Sequence, residues 1–288
     1  MAVEVFDDTF CALGEGPLWH PDRQSLFWFD IDNKVMYEKA LGGTLREYRF
    51  DRTVTAAGLL ADPGRLFIAS ERDLFVYGLE TGTEDILCPL DADNDLTRSN
   101  DGRADPFGGF WIGTMGYKAE PQKGAIFRYY KGKVRKLFED ITVSNGICFA
   151  PDKSVAYFTD SPTKLIKQVA LDGDGWPIGE PVDLIDLRSE HFGPDGAVCD
   201  ADGQIWSAQW LGAQVAVFAP DGTPGDVHQF PTSLTSCPAF GGADFRDLFV
   251  TTAGAHLPYP LKGTQLQAGF VFRMAGAGQG RAEYRVQI

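Results

Sequence analysis

In TVSNGICFAPDKSVAYFTD (142–160) a short apolar run is followed by an Asp-containing turn and then by a second apolar run, Val155 to Phe158. Short runs rich in Phe, Tyr, Trp, Val and Ile, broken by Gly and Pro, predict β-strands, and helical periodicity is poor along the chain. The arrangement recurs. Asp152 stands five and six residues before the pair Tyr157-Phe158, and the same offset joins Asp22 to Phe27-Trp28 and Asp62 to Phe67-Ile68. It also joins Asp105 to Phe110-Trp111, Asp200 to Ile205-Trp206 and Asp244 to Phe249-Val250.

The six anchors are spaced by 40, 43, 47, 48 and 44 residues, and most open a turn such as DPG, DPFGG, PDK or DADG. Further strand-like runs follow, for example IFRYY (126–130) and VAVFAP (215–220). Each unit thus reads as a four-stranded antiparallel meander, and repeats of roughly 40 to 50 residues are those of propeller blades. The expected fold is all-β: one six-bladed β-propeller forming a single domain over residues 1–288. Two β-sandwiches would show evenly spaced strands but no reason for a six-fold Asp-aromatic register. An Asp opening a hairpin bonds its own backbone two residues on, so the anchors are read as structural and the aromatics after them as inter-blade core.

In a propeller the first strand of every blade lines the central channel, so equivalent positions near its start converge on the axis. Seven residues before the anchors stand Glu15, Thr55, Arg98, Asn145, Gly193 and Cys237; five before stand Pro17, Ala57, Asn100, Ile147, Asp195 and Ala239. Two positions apart on a strand means the same face. Glu15, Arg98, Asn100, Asn145 and Asp195 are the strongly polar members, and they come from four blades. Glycine lies close to several of them, in GEGP, NDG, SNG and PDG, where it lets the backbone turn and keeps space open. Two readings fit such a cluster. Two carboxylates and an amide oxygen suit a hard divalent cation; alternatively Arg98 neutralises the carboxylates in a structural ion-pair plug, since buried charges need partners.

Composition narrows the function classes. A net charge of −14, with no cluster of Lys and Arg, argues against nucleic acid. Five scattered cysteines without a CxxC give neither a zinc knuckle nor a redox pair, and Cys88, Cys148 and Cys199 read as buried free thiols. MAVEVFDDTF lacks the features of a signal peptide and no apolar stretch reaches membrane-spanning length, so a soluble cytoplasmic protein without a membrane partner is expected. The four histidines show no HExxH spacing, and His20 reads as turn surface. No GxSxG elbow, P-loop or strand-linked GxGxxG occurs. LDGDG (171–175) is a β-turn rather than a calcium loop, because the later Glu is missing. Trp19, Tyr117, Trp210 and Tyr259 are candidates for the border of the funnel, with surface or core packing as the alternative for each.

At these residues the chain resembles the SMP-30/gluconolactonase/LRE family, also called the regucalcin family. The matching motifs are LGEGPLW (13–19), RSNDGRADPFGGFWIGTM (98–115), SNGICFAPD (144–152), GPDGAVCDADGQIW (193–206) and TSCPAFGGADFRDLFVTTA (235–253). The resemblance implies a six-bladed propeller with one catalytic divalent metal and hydrolysis of sugar lactones. By position, Glu15, Asn145 and Asp195 match the family's metal ligands. Arg98 and Asn100 match its substrate-contacting pair, and Asp195 also matches the residue given the acid/base role. Oxygen ligation does not choose among Ca²⁺, Mn²⁺, Mg²⁺ and Fe²⁺, and Zn²⁺ also fits.

GYKAEPQKGA (116–125) departs from the pattern, placing Lys118 where some members carry an acidic residue over the site. The segment is expected to act as a lid. The expected partner is a small sugar lactone. The rival readings are a metal-dependent esterase or phosphotriesterase-like hydrolase on the same propeller, and a non-catalytic propeller that binds proteins on its faces.

Overall fold

The computed structural model describes residues 2–288. Among the described residues, twenty-four strands form six four-stranded sheets, the blades of a β-propeller. Blades I to V each use four consecutive strands, within residues 14–49, 54–89, 97–141, 144–186 and 193–229. Blade VI is assembled differently. Its three inner strands, Thr235–Gly241, Asp247–Thr252 and Val271–Met274, are joined on the outside by Val3–Asp7 from the other end of the chain. That strand pairs antiparallel with Val271–Met274, so one sheet closes the ring.

The aromatic pairs found in the sequence all lie on the second strand of their blades. Phe27, Trp28, Phe67, Phe110, Trp111, Phe158 and Phe249 are among the fully enclosed side chains. They pack between sheets. One cluster joins Phe27 and Phe29 to Ile68 and Phe75 across blades I and II, and another joins Phe67 to Phe110 and Tyr129 across II and III. Further clusters fill the III–IV, IV–V and V–VI gaps. Trp19 and Trp28 meet Phe249 between VI and I. Burial of such side chains is the main favourable term in folding, and here it runs around the whole ring.

Four of the six Asp anchors behave as hairpin locks. Asp62, Asp105, Asp152 and Asp200 each accept the backbone N–H two residues on, at 2.9, 2.8, 3.0 and 3.0 Å. Asp22 instead receives Arg285 Nη2 at 2.6 Å. That arginine belongs to the C-terminal tail, which crosses the hairpin end of the axis and reaches every blade. Val286 N–H donates to Leu59, Gln287 N–H to Gly108 and Gly280 N–H to Phe245, while Ala201 N–H donates to Gln279, each at 2.8 Å. Arg281 Nη2 donates to Phe149 O at 3.1 Å. One end of the axis is thereby covered, and the other is left for a site.

Two local expectations change. His20 is not turn surface: its strand, Gly14–His20, runs on to pair His20 with Ser25, and the ring is 0% exposed with neither nitrogen partnered. Cys148 and Cys199 are buried free thiols 3.5 Å apart on neighbouring innermost strands, whereas Cys88, on an outer strand, is half-buried. Among the described residues no helix is long and apolar enough to cross a membrane.

Candidate functional site

The five polar residues singled out in the sequence all lie on innermost strands. Glu15 is on Gly14–His20, Arg98 and Asn100 on Thr97–Ala104, Asn145 on Ser144–Phe149 and Asp195 on Gly193–Cys199. All five line one cavity of about 730 Å³ at the end of the axis opposite the tail.

Their convergence does not come from simple alternation. Glu15 pairs with Phe29, and Asn145 with Thr159, at the last regular position before a β-bulge. Asp195 and Asn100 sit one residue later, inside the bulge, just after the pairs Pro194–Gln209 and Ser99–Thr114. An extra residue in a strand re-aims the side chains beside it, so a one-residue step with a bulge replaces the expected two-residue step on a flat strand. Gly16 makes this possible in blade I: its φ is +54°, and a Cβ there would lie 2.6 Å from the Thr55 carbonyl oxygen.

Arg98 does not plug the site. Its Nη1 donates to Ser99 O at 2.7 Å and to Asn100 Oδ1 at 2.8 Å, and among the described residues it forms no ion pair. Asn100 Nδ2 in turn donates to Asn145 Oδ1 and to Ser144 O, both at 2.9 Å, which engages both of its amide hydrogens. Asn145 Nδ2 donates to Ser161 Oγ at 2.9 Å, on the 3-10 turn Ser161–Thr163.

Among the described residues neither carboxylate has a basic side chain within ion-pair distance. Glu15 and Asp195 are 6% and 5% exposed. Glu15 Oε2 accepts the Gly16 N–H, at 3.0 Å. Burial, and then repulsion from Asp101, holds the Glu15 carboxyl well above its ordinary range. Burial, and then repulsion from Glu15 and Asp101, does the same to Asp195. Buried carboxylates in this condition call for a positive charge. Among the described residues no three His, Cys, Asp or Glu side chains group as a metal site; here the third donor is the Asn145 amide oxygen. Two carboxylates and an amide are the oxygen donors a hard divalent cation takes, and the residues present fit one.

Asp101 was not singled out in the sequence. It is 6% exposed, its Oδ2 accepts the Ile147 N–H at 2.7 Å, and burial raises its pKa. A signal was available: Asp101, like Glu15, Asn145 and Asp195, is followed directly by Gly. Beneath it, Arg103 donates to Ile147 O and Ala197 O at 3.0 and 2.9 Å and pairs with Glu283 of the tail. Of the four aromatic candidates, Tyr117 and Trp210 line the cavity. Trp19 is core, stacked on Phe249 with centroids 5.4 Å apart, and Tyr259 is surface, 94% exposed. Lys118 and Ala119 of the expected lid also line the cavity, and Tyr117 OH donates to Glu71 Oε2 at 2.8 Å.

The fold defines the class, a six-bladed propeller, and comparison with known proteins gives the family. Residues 13–254 match the model of the SMP-30/gluconolactonase/LRE-like region, and the chain belongs to that family. It is similar to the pentonolactonase XacC of Haloferax volcanii, at 30% identity over 100% of this chain and 99% of the relative. The 6-deoxy-6-sulfogluconolactonase of Pseudomonas putida is 34% identical, over 84% of each chain. Among solved structures, a calcium-binding protein, regucalcin, from Agrobacterium tumefaciens superposes with a TM-score of 0.96. It is 37% identical, with 100% of this chain and 98% of that one covered.

Proposed function

We propose that the protein hydrolyses sugar lactones to aldonic acids, using a divalent cation held by Glu15, Asn145 and Asp195. The observation that carries this reading is the pair of buried carboxylates without a basic partner, set in the wall of a ligand-sized cavity. The activities named for the relatives XacC and the sulfogluconolactonase support the substrate class, and the calcium-binding description of the regucalcin supports a divalent ion.

The cation, when bound, supplies Lewis-acid polarisation of the lactone carbonyl. Asp195 takes the proton of the attacking water and returns a proton to the ring oxygen as the C–O bond breaks. Arg98 has Nε and Nη2 free of protein acceptors, because only Nη1 is spent on Ser99 and Asn100. These two donors remain available for the charge that grows on the lactone oxygen, which they would favour. Asn100 is a positioning residue in this scheme rather than a donor to substrate, since both its amide hydrogens are engaged.

The test is a screen of aldono-1,4- and 1,5-lactones beside aryl esters and phosphotriesters, followed by acid release, with and without EDTA and with single divalent ions restored. Lactone hydrolysis lost in EDTA and regained on metal addition is the expected result. Turnover of aryl or phosphate esters alone would overturn the lactonase reading, and lactone turnover indifferent to EDTA would overturn the cation.

A further inference from the structure

Asp32 and His256 meet on the wall of the same cavity, and neither belongs to the repeat positions that build the axial cluster. His256 Nε2 and Asp32 Oδ2 are 2.7 Å apart, although the residues are 224 positions apart in sequence. Their side chains are 44% and 40% exposed, so the pair is open to solutes.

Both are held by the segment that leads into Glu15. Asp30, two residues before Asp32, accepts the N–H groups of Ala12 and Leu13 at 2.9 and 3.1 Å, and Ile31 N–H donates to Leu13 O at 3.0 Å. Ala255 N–H, directly before His256, donates to Ala12 O at 3.1 Å. One short stretch thus sets the dyad relative to Glu15. On its other side stands Trp210, whose ring centroid is 6.3 Å from that of His256 and which lines the same cavity. The pair shares its cavity with the proposed reaction centre, since Arg98 and Glu15 line the same walls.

The chemistry of the trio is that of a hydroxyl-bearing chain. With Nε2–H given to the Asp32 carboxylate, Nδ1 of His256 accepts a hydrogen bond in the neutral ring and donates one in the imidazolium, and Asp32 keeps a second oxygen free. The hydrogen bond holds His256 above and Asp32 below its ordinary pKa, consistent with an ionised Asp32. A carboxylate oxygen and an imidazole nitrogen beside an aromatic ring suit neighbouring hydroxyls, which both donate and accept, on a C–H backbone.

We propose that Asp32, His256 and Trp210 form a subsite for the exocyclic polyol chain of the lactone, so that they select substrates by chain length beyond the ring. This rests on the lactonase reading above. The test uses the metal-loaded protein with a tetrono-, a pentono- and a hexono-1,4-lactone, which carry no exocyclic carbon, one and two.

For Asp32→Asn and for His256→Ala, KM should rise about 10-fold on the hexonolactone and less than about 2-fold on the tetronolactone. In both variants kcat should stay within about 2-fold. Asp32→Asn keeps the side-chain volume and so separates lost recognition from lost packing; a thermal melt confirms the fold of each. An equal rise in KM on all three lactones, or a fall in kcat at constant KM, would overturn the subsite while leaving the lactonase standing. A wild-type protein that turns over none of them would overturn both.

Discussion

Asn100 Nδ2 donates to Asn145 Oδ1 at 2.9 Å, a hydrogen bond that crosses from blade III to blade IV at the axial site. Ser161 takes the opposite end of the Asn145 amide, at 2.9 Å. The two bonds together fix which end of that amide is oxygen. In the proposed cation site this holds the Asn145 amide from behind, as outer hydrogen bonds orient donors toward a metal. Asn100→Ala should therefore weaken divalent-cation affinity by about 10-fold or more, measured by calorimetric titration of chelator-treated protein. Unchanged affinity together with a raised KM would return Asn100 to direct substrate contact.

Variants of Asp195 and Glu15 separate the proposed proton transfer from the proposed cation binding. Asp195→Asn preserves size and keeps a donor oxygen but cannot move a proton, so kcat should fall by about 100- to 10,000-fold with the melting curve retained. Glu15→Gln keeps an oxygen but removes a charge from the cation site, and its main effect should be on the metal concentration needed for half-maximal activity. Full turnover by Asp195→Asn at saturating metal would leave Asp195 a ligand only.

Much of this site was legible because the fold repeats. The Asp-turn-aromatic register placed the second strands, and the buried pairs such as Phe110-Trp111 lie on them. The same register brought Glu15, Arg98, Asn100, Asn145 and Asp195 to one end of the axis. What it could not give was the bulge, because a one-residue insertion relative to a partner strand is a property of pairing, visible only as Gly16 and Gly146 with positive φ. Nor could it give Asp32 and His256. They stand on connections outside the repeat, and their meeting depends on the closure that brings blade VI against blade I. The fate of Arg98 was open for a similar reason: its choice of Asn100 over Glu15 is a matter of side-chain direction, not of spacing.

The axial carboxylates make stability depend on pH in a way that metal should reverse. Burial and the charge of Asp101 raise Glu15 from 4.5 to about 8, and Asp195 moves in the same direction. Well below their ordinary values of 4.5 for Glu15 and 3.8 for Asp195, both groups are protonated in the folded and the unfolded chain, and they cost nothing. Between the ordinary and the raised values the folded chain holds protons that the unfolded chain releases, so stability falls as pH rises through that window. In EDTA the melting temperature should drop from pH 5 to pH 8 beyond the change seen for Glu15→Gln. Added Ca²⁺ or Mn²⁺ should raise it more at pH 8 than at pH 5, because a cation binds the ionised form and stabilises by mass action. A metal-induced shift that is equal at both pH values, or larger at pH 5, would contradict the assignment.

At the opposite end of blade III the same problem of buried charge is solved without a metal. Arg128 Nε and Asp105 Oδ2 lie 2.6 Å apart with both side chains 0% exposed. Asp105 also accepts the N–H groups of Phe107 and Gly109 at 2.8 and 3.0 Å. Arg128 donates to Asp174 O at 2.9 Å, and its guanidinium lies 4.4 Å from the ring centroids of both Tyr130 and Trp176. Removing one partner strands the other charge in the core, so Arg128→Met should cost about 3–5 kcal/mol in denaturant unfolding. Adding Asp105→Asn to it should recover part of that loss, because the stranded carboxylate is gone. The pair sits on the hairpin side of its blade, away from the cavity, so kcat and KM of the folded fraction should match wild type. Additive losses in the double variant would mean that the two charges are solvated independently, and a selective fall in kcat would mean that this end of the blade helps to shape the axial site.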